Sequence, residues 1–300
     1  MTINRAQMAQ LLWPGLNEVF GNYDGYPEQW KDIYDTYNSD KYQEVDVEMK
    51  YTSAADIKAE GAPIASDDMG QRVITHYIHK RVGLSFTITK EAIEDDLYKT
   101  QFPQQTKSLF NSLATTKNIF GANVLNNAFN PAFPVGDGQP LCSTAHPVDG
   151  GTYSNTLAIP ADFSQASLEE AIVQIQGFVG QNGILVQTKA ECLIMPKEQQ
   201  FASSVVLDSQ FRSGTANNDI NAIYSNGYVP KGYKINQYLT SPDAWFIKTD
   251  APNGFKHFQR TPVETETYAD FQTDNIMAKA TERYSFGVSN PRAVFGSSGA

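Results

Sequence analysis

Two alternating stretches separated by a loop constrain this chain more than any other feature. From Tyr42 to Ser53, Val45, Val47, Met49 and Tyr51 alternate with Glu44, Asp46, Glu48 and Lys50. Period two gives an extended strand one apolar and one charged face. Ala54 to Gly70 is small and polar, marked by Gly61-Ala62-Pro63 and Asp67-Asp68, and reads as a loop tip. Gln71 to Thr89 returns as β-rich sequence, with Val82, Leu84, Phe86 and Ile88 alternating at its end. Arms of a dozen residues at 3.3 Å each reach roughly 40 Å. A compact chain of this length has a radius of gyration of only about 19 Å. A two-stranded hairpin is marginal alone in water. If such a ribbon projects, something outside its own domain must support it.

Before the ribbon, Asn4–Leu12 predicts a short helix ended by Pro14-Gly15. Trp13, Phe20, Tyr23, Tyr26, Trp30, Tyr34 and Tyr37 then crowd a segment with little room for a core of its own. Such an arm packs either on its own domain or on a neighbouring subunit, since rigid aromatics dominate interface cores. The sequence leaves both open. After the ribbon, Thr89 caps a helical start at Lys90–Lys99, and Pro103 opens a longer helix as its first residue. Leu109, Leu113, Phe120, Val124 and Ala128 form its apolar stripe. Ser167 and Glu170 read as a capping box before another amphipathic helix. Short strands are expected at Glu191–Met195, Tyr228–Leu239, Ala244–Lys248 and Phe255–Arg260, a helix at Lys197–Leu207, and a mostly β tail from Val263. Strands and helices mix without a βαβ rhythm, so the fold class is α+β.

The chemistry is sparse. Hydrophobic residues make up 41% of the 300, enough for a sizeable core, and the net charge is −10. A protein that grips nucleic acid over its whole surface needs the opposite sign; an acidic chain can still enclose DNA but does not cling to it. Two cysteines are no disulfide framework and suit a reducing compartment. No apolar run is long enough to span a membrane, and the N-terminus lacks a secretory block, so the expectation is a soluble intracellular product. Cys142 and His146 stand four apart, the elements of a cysteine hydrolase, but Pro140 and Pro147 make this a loop and favour a structural reading. His76 and His79 fall on opposite strand faces and His257 is isolated, so no metal site is expected. Glu44, Asp46 and Glu48 share a face that is solvated, or paired with Arg72, Lys80, Arg81 or a neighbour. No Gly-rich phosphate cradle is present, and no cofactor is expected. A large fold with projections and no assembled active site points to a structural or assembly role.

From about Leu141 onward a series of short motifs adds to this. It comprises Ser143-Thr144-Ala145-His146-Pro147, Gly150-Gly151, Ser167-Leu168-Glu169 and Leu193-Ile194-Met195-Pro196. The runs from Gly214 to Asn221, Tyr238 to Phe246 and Arg283 to Arg292 continue it. In order and spacing, the series resembles the major capsid (head) proteins of tailed bacteriophages, nearest the branch of the Mu-phage major head subunit. The first 140 residues match by architecture alone.

The resemblance implies the Hong Kong 97-type capsid fold. It implies an N-terminal arm at 1–40, an extended hairpin loop at 41–82, and a peripheral domain with a spine helix at 83–135, returning at 252–285. An axial domain takes 136–251, with 286–300 a possible addition. The implied function is self-assembly of pentamers and hexamers into an icosahedral virion head around double-stranded DNA, bound without sequence specificity. The implied partners are further copies of the chain, a portal, a scaffold and in some cases decoration proteins; assembly is in the host cytoplasm and involves no membrane. The expected inter-subunit contacts are Trp13, Phe20, Tyr23, Trp30, Tyr34, Val45, Val47, Met49, Tyr51, Arg72, Lys80 and Arg81. Certain family members crosslink a hairpin Lys to a neighbour's Asn; Lys50, Lys58 and Asn290 are in suitable places, but the uncrosslinked reading is favoured. The alternatives are an encapsulin-like nanocompartment shell and the Cys142/His146 hydrolase.

Overall fold

The structure, a computed structural model, describes residues 26–50, 52–61, 63–64, 66–67, 70–94, 98–212, 219–270, 273 and 275–300. The expected helix at Asn4–Leu12 and the expected contacts Trp13, Phe20, Tyr23 and Tyr51 lie outside these residues.

In chain order the first half runs β1 (Asp35–Asn38), β2 (Gln43–Met49), β3 (Gln71–Ile78), β4 (Lys80–Ile88), α1 (Lys90–Glu94) and α2 (Tyr98–Asn126). The second half begins with β5 (His146–Val148), β6 (Gly151–Tyr153), α3 (Gln165–Gln176), β7 (Ala190–Met195), α4 (Gln200–Asp208) and α5 (Ala222–Asn226). It ends with β8 (Tyr233–Ile235), β9 (Trp245–Thr249), β10 (Phe255–Ala269), β11 (Ile276–Val288) and β12 (Val294–Ser297).

One sheet has the order β1-β10-β11-β4 and carries α2 on one face. Alternation along β11 sends Ile276, Ala278, Ala280, Glu282 and Tyr284 inward and Met277, Lys279, Thr281 and Arg283 outward. Ala280 is small, so the helix approaches closely, and Leu109, Phe110 and Leu113 of α2 pack against it. Glu282 is the one charged residue of the inward row. Lys117 of α2 reaches it at 3.1 Å. Burial lifts the Glu282 pKa, and the Lys117 ammonium offsets only part of that. The same ammonium lies 5.0 Å from the ring centres of both Trp30 and Tyr284.

The second sheet has the order β12-β9-β7-β8, and its strands β12, β9 and β7 are largely buried on both sides while the edge strand β8 is half-buried. Leu193, Met195, Trp245 and Ile247 face a core built with Leu168, Ala171, Ile172 and Ile175 of α3. Their neighbours Ile194 and Phe246 face a second core with Leu125, Ala128, Trp30, Tyr34 and Phe255. Period-two strands thus feed two cores from one sheet, and the second core joins the two sheets.

Several expectations need correction. The return strand is not continuous. It breaks at His79, whose ring lies 3.0 Å from Ser39 Oγ on one side and 3.0 Å from Ser285 Oγ on the other. β3 pairs with β2, whereas β4 leaves to pair with β11. The paired ladder therefore ends at Met49 and spans about 23 Å, shorter than twelve-residue arms. The long helix begins at Tyr98, so Pro103 lies within it and forgoes one backbone bond. The capping box of α3 is built by Ser164 and Ser167, not Ser167 and Glu170: Ser167 N donates to Ser164 Oγ at 3.2 Å, and Ser164 N donates back to Ser167 Oγ at 2.9 Å. A serine at the third position does the work expected of a glutamate. Of the strand expected at Tyr228–Leu239, only β8 forms.

Candidate inter-subunit surface

The β2–β3 ribbon has two faces that behave oppositely. Directly paired residues of an antiparallel ladder share a face. Glu44/Tyr77, Asp46/Thr75 and Glu48/Val73 make one face, while Gln43/Ile78, Val45/His76 and Val47/Ile74 make the other.

The charged face lies on the chain's own body. Arg292 Nη1 donates to Glu48 Oε1 at 3.1 Å, and Arg72 Nη1 donates to Glu48 Oε2 at 3.3 Å. Arg72 also donates to the Pro147 carbonyl. Lys256 Nζ donates to Asp46 Oδ2 at 2.5 Å. Burial works to raise the Asp46 pKa, but the hydrogen bonds from Lys256 and Ser289 outweigh it and hold it low. Ser39 Oγ donates to Glu44 Oε1 at 2.7 Å. Beside these groups, Val73 and Tyr77 are buried. Tyr77 sits on Gly287, where an added Cβ would stand 2.6 Å from its ring, and Val73 sits on Gly136, where a Cβ would collide with it. At the far end Lys50 pairs with Asp149 at 3.1 Å.

Among the described residues, the apolar face is only partly covered: Gln43 and Val47 are half-buried, and the rest stands open. Val45, Met49, Ile74 and Ile78 are 47%, 56%, 46% and 53% exposed. Beyond them Thr52–Gly61 is exposed throughout, and Ile57 is fully so. The expectation that the ribbon projects from its own domain is thus corrected: the ribbon lies on its parent, by its charged face, because the cations of β10 and of the Pro291–Ala293 turn await its carboxylates. The apolar strip is left outward.

The remaining expected contacts fall in different places. Trp30 and Tyr34 are buried in the second core of their own chain, Trp30 against His257 at 4.3 Å and Tyr34 donating to the Gly121 carbonyl at 2.7 Å. For these two aromatics the packing is intramolecular. Arg72 is likewise engaged within its own chain. Lys80 extends its amine over Phe120, 5.6 Å from the ring centre, and Arg81 is exposed on the outer sheet face. Asn290 is buried, its amide donating to the Pro252 carbonyl at 3.1 Å while its Oδ1 accepts from Arg292 N at 3.1 Å. Neither end is free for a neighbour's lysine.

Cys142 and His146 do not form a nucleophile and base. His146 is buried, with Nδ1 2.6 Å from Asp137 Oδ2 and Nε2 3.1 Å from Asn155 Oδ1. The Cys142 thiol lies beneath Gly296, and burial pushes its pKa far up. Asn155 is a residue the sequence reading missed: its amide donates to the carbonyls of Leu141, Pro291 and Val294. Among the described residues no group of three or more His, Cys, Asp or Glu could hold a metal ion.

A family model for phage capsid protein matches residues 72–296. No curated protein matches the chain in sequence. Among solved structures, it is similar to the virus-like particle from Pyrococcus furiosus, with a TM-score of 0.56 and 7% identity over 94% of this chain and 97% of that one. The capsid of Myoviridae phage XM1 gives a TM-score of 0.53 at 10% identity over 89% of each chain. The holo-SrpI encapsulin complex from Synechococcus elongatus PCC 7942 gives 0.54 at 8% identity over 91% of this chain and 88% of that one. At such identities the likeness is one of fold.

Proposed function

The chain belongs to the phage capsid protein family, and on that premise we propose that its copies close into an icosahedral head around packaged double-stranded DNA. As a capsid subunit with the Hong Kong 97-type fold it is a structural protein of the virion shell. The observation that carries the proposal is the uncovered strip of Val45, Met49, Ile74 and Ile78 on a ribbon whose other face is already spent. An apolar strip of this kind is covered by a further copy, and modest contacts repeated around closed rings add up in a shell.

The division into an arm at 1–40, a hairpin at 41–82, a peripheral domain at 83–135 and 252–285, and an axial domain at 136–251 is part of this reading. The sheet under α2 supports the peripheral unit, and the β12-β9-β7-β8 sheet supports the axial unit, with β12 (Val294–Ser297) the part of 286–300 that joins it. Portal, scaffold and decoration proteins, DNA held without sequence readout, and assembly in the host cytoplasm complete it. The test is negative-stain electron microscopy of the expressed chain with and without its neighbouring head genes. Closed shells, tubes or sheets are expected; a monomer under every condition would overturn the reading.

One observation favours a second reading, a nanocompartment shell: the fold is shared with the SrpI encapsulin. Shells purified with protein cargo and no nucleic acid would decide for it.

A further inference from the structure

We propose that Asp56 and Glu60, at the ribbon tip of one copy, dock on Arg81 and Arg283, at the ribbon root of a second copy. This names the two halves of one contact and rests on the shell reading above.

The root is identified by register. Arg283 of β11 stands directly opposite Arg81 of β4. Directly opposed side chains in an antiparallel ladder project to one face with Cβ atoms about 5 Å apart, and like charges there repel. Their chain neighbours Glu282 and Tyr284 are buried under α2, so both arginines lie on the face away from the helix. Neither forms an ion pair among the described residues. The Arg283 guanidinium lies over the exposed ring of Tyr42, 5.7 Å from its centre. Glu266, on the same face, is held by Lys279 at 2.5 Å with Arg81 acting on it from farther off, and among the described residues Glu264 beside it makes no ion pair. Arg260, paired with Asp40 at 3.4 Å, brings a third cation to the area. The crowding registers on His79, whose pKa is lowered first by burial and then by Arg283, with Arg260 adding to it against the opposing pull of Glu44.

The tip carries the opposite sign. Asp56 and Glu60 are exposed and make no ion pair among the described residues, and Lys58 is the one charged residue between them. They cannot serve their own root. The eight residues of β3 hold tip and root about 25 Å apart, and Lys50 and Ser53 at the base of the tip contact Asp149 and Asn182. An acid at one end of a ribbon and a base at the other pair only between molecules, head to tail. Contacts of that kind close into rings or grow into open arrays.

The test reverses charges in the full chain. Arg81→Glu with Arg283→Glu, and separately Asp56→Lys with Glu60→Lys, are expected to fold with the wild-type melting temperature while shell yield, read by sedimentation and microscopy, falls at least tenfold. Combining all four substitutions is expected to restore shells. Wild-type shell yield in both double variants would overturn the contact, as would failure of the fourfold variant to recover. If the arginine variant instead assembles normally but loses DNA from its shells, the pair serves a polyanion and the proposal falls. A wild type that forms no shells overturns the shell reading itself, a distinguishable result. Should a charge variant not fold, oxidised shells of Glu60→Cys with Arg81→Cys are the readout: covalent ladders support the contact, and monomers alone overturn it.

Discussion

Arg292, with none of its side chain exposed, donates to Glu48 of the ribbon across 3.1 Å. The ribbon is therefore held to the body by a charge pair closed off from water. Arg292 also donates from Nε to the Val179 carbonyl at 2.8 Å and lies 4.5 Å from the centre of the Tyr153 ring. Without Glu48, a buried guanidinium loses its counter-charge, which costs about 3–5 kcal/mol. Glu48→Ala is expected to lower the unfolding free energy by that order in urea titrations, with Glu48→Gln recovering part. A loss within the error of the titration would show that the dock does not depend on the pair.

His257 gives an acid limb to stability. Its pKa is lowered from 6.5 to about 3, chiefly by burial and then by Lys117 and Lys31. The unfolded chain takes up a proton near pH 6.5, whereas the folded chain resists until about pH 3. In that window the unfolded state binds more protons, so stability is full above pH 6.5 and falls as pH drops toward 3. The limiting slope for one proton is about 1.4 kcal/mol per pH unit. Denaturation between pH 7 and 4 is expected to show this decline in the wild type and a flatter one in His257→Gln; equal slopes would remove His257 as its source.

The outer strip separates assembly from folding. Met49 and Ile74 are about half exposed and fill no core. Met49→Lys and Ile74→Lys are expected to change subunit stability by less than about 0.5 kcal/mol. Both are expected to abolish shells in size-exclusion chromatography. Normal shells from the two variants would show that the strip is not an interface.

Gly287 is a seat that only a residue without Cβ provides. Tyr77 lies on it and shares a 2.5 Å hydrogen bond with Ser289 Oγ. Gly287→Ala is expected to cost about 1–3 kcal/mol through overpacking. Adding Tyr77→Leu should relieve the clash, so a double-mutant cycle read by thermal unfolding should be non-additive. Strict additivity would mean that the ring and the glycine do not press on each other.

The ribbon shows where sequence reading succeeds and where it stops. The alternation of Val45, Val47 and Met49 with Glu44, Asp46 and Glu48 assigned each residue to a face, because a strand permits only two. It expected the charged face solvated or paired with Arg72, Lys80, Arg81 or a neighbour, and of these only Arg72 pairs with it among the described residues, beside Lys256 and Arg292. Ordinary burial favours the apolar one, and the structure turns the charged one to the body. The reason is the placement of Lys256 and Arg292, more than two hundred residues away in sequence. The break at His79 was hidden in the same way. Its partners, Ser39 just past β1 and Ser285 of β11, are distant in sequence, and no local signal marks it.

Local periodicity and the ordered motif series sufficed for the α+β class, the long amphipathic helix and the capsid family, since each depends on near neighbours or on the order of residues along the chain. The direction of the ribbon, the intramolecular burial of Trp30 and Tyr34, and the facing of Arg81 to Arg283 depend on pairings across long loops. Only the folded arrangement brings those partners within reach, so only it decided them.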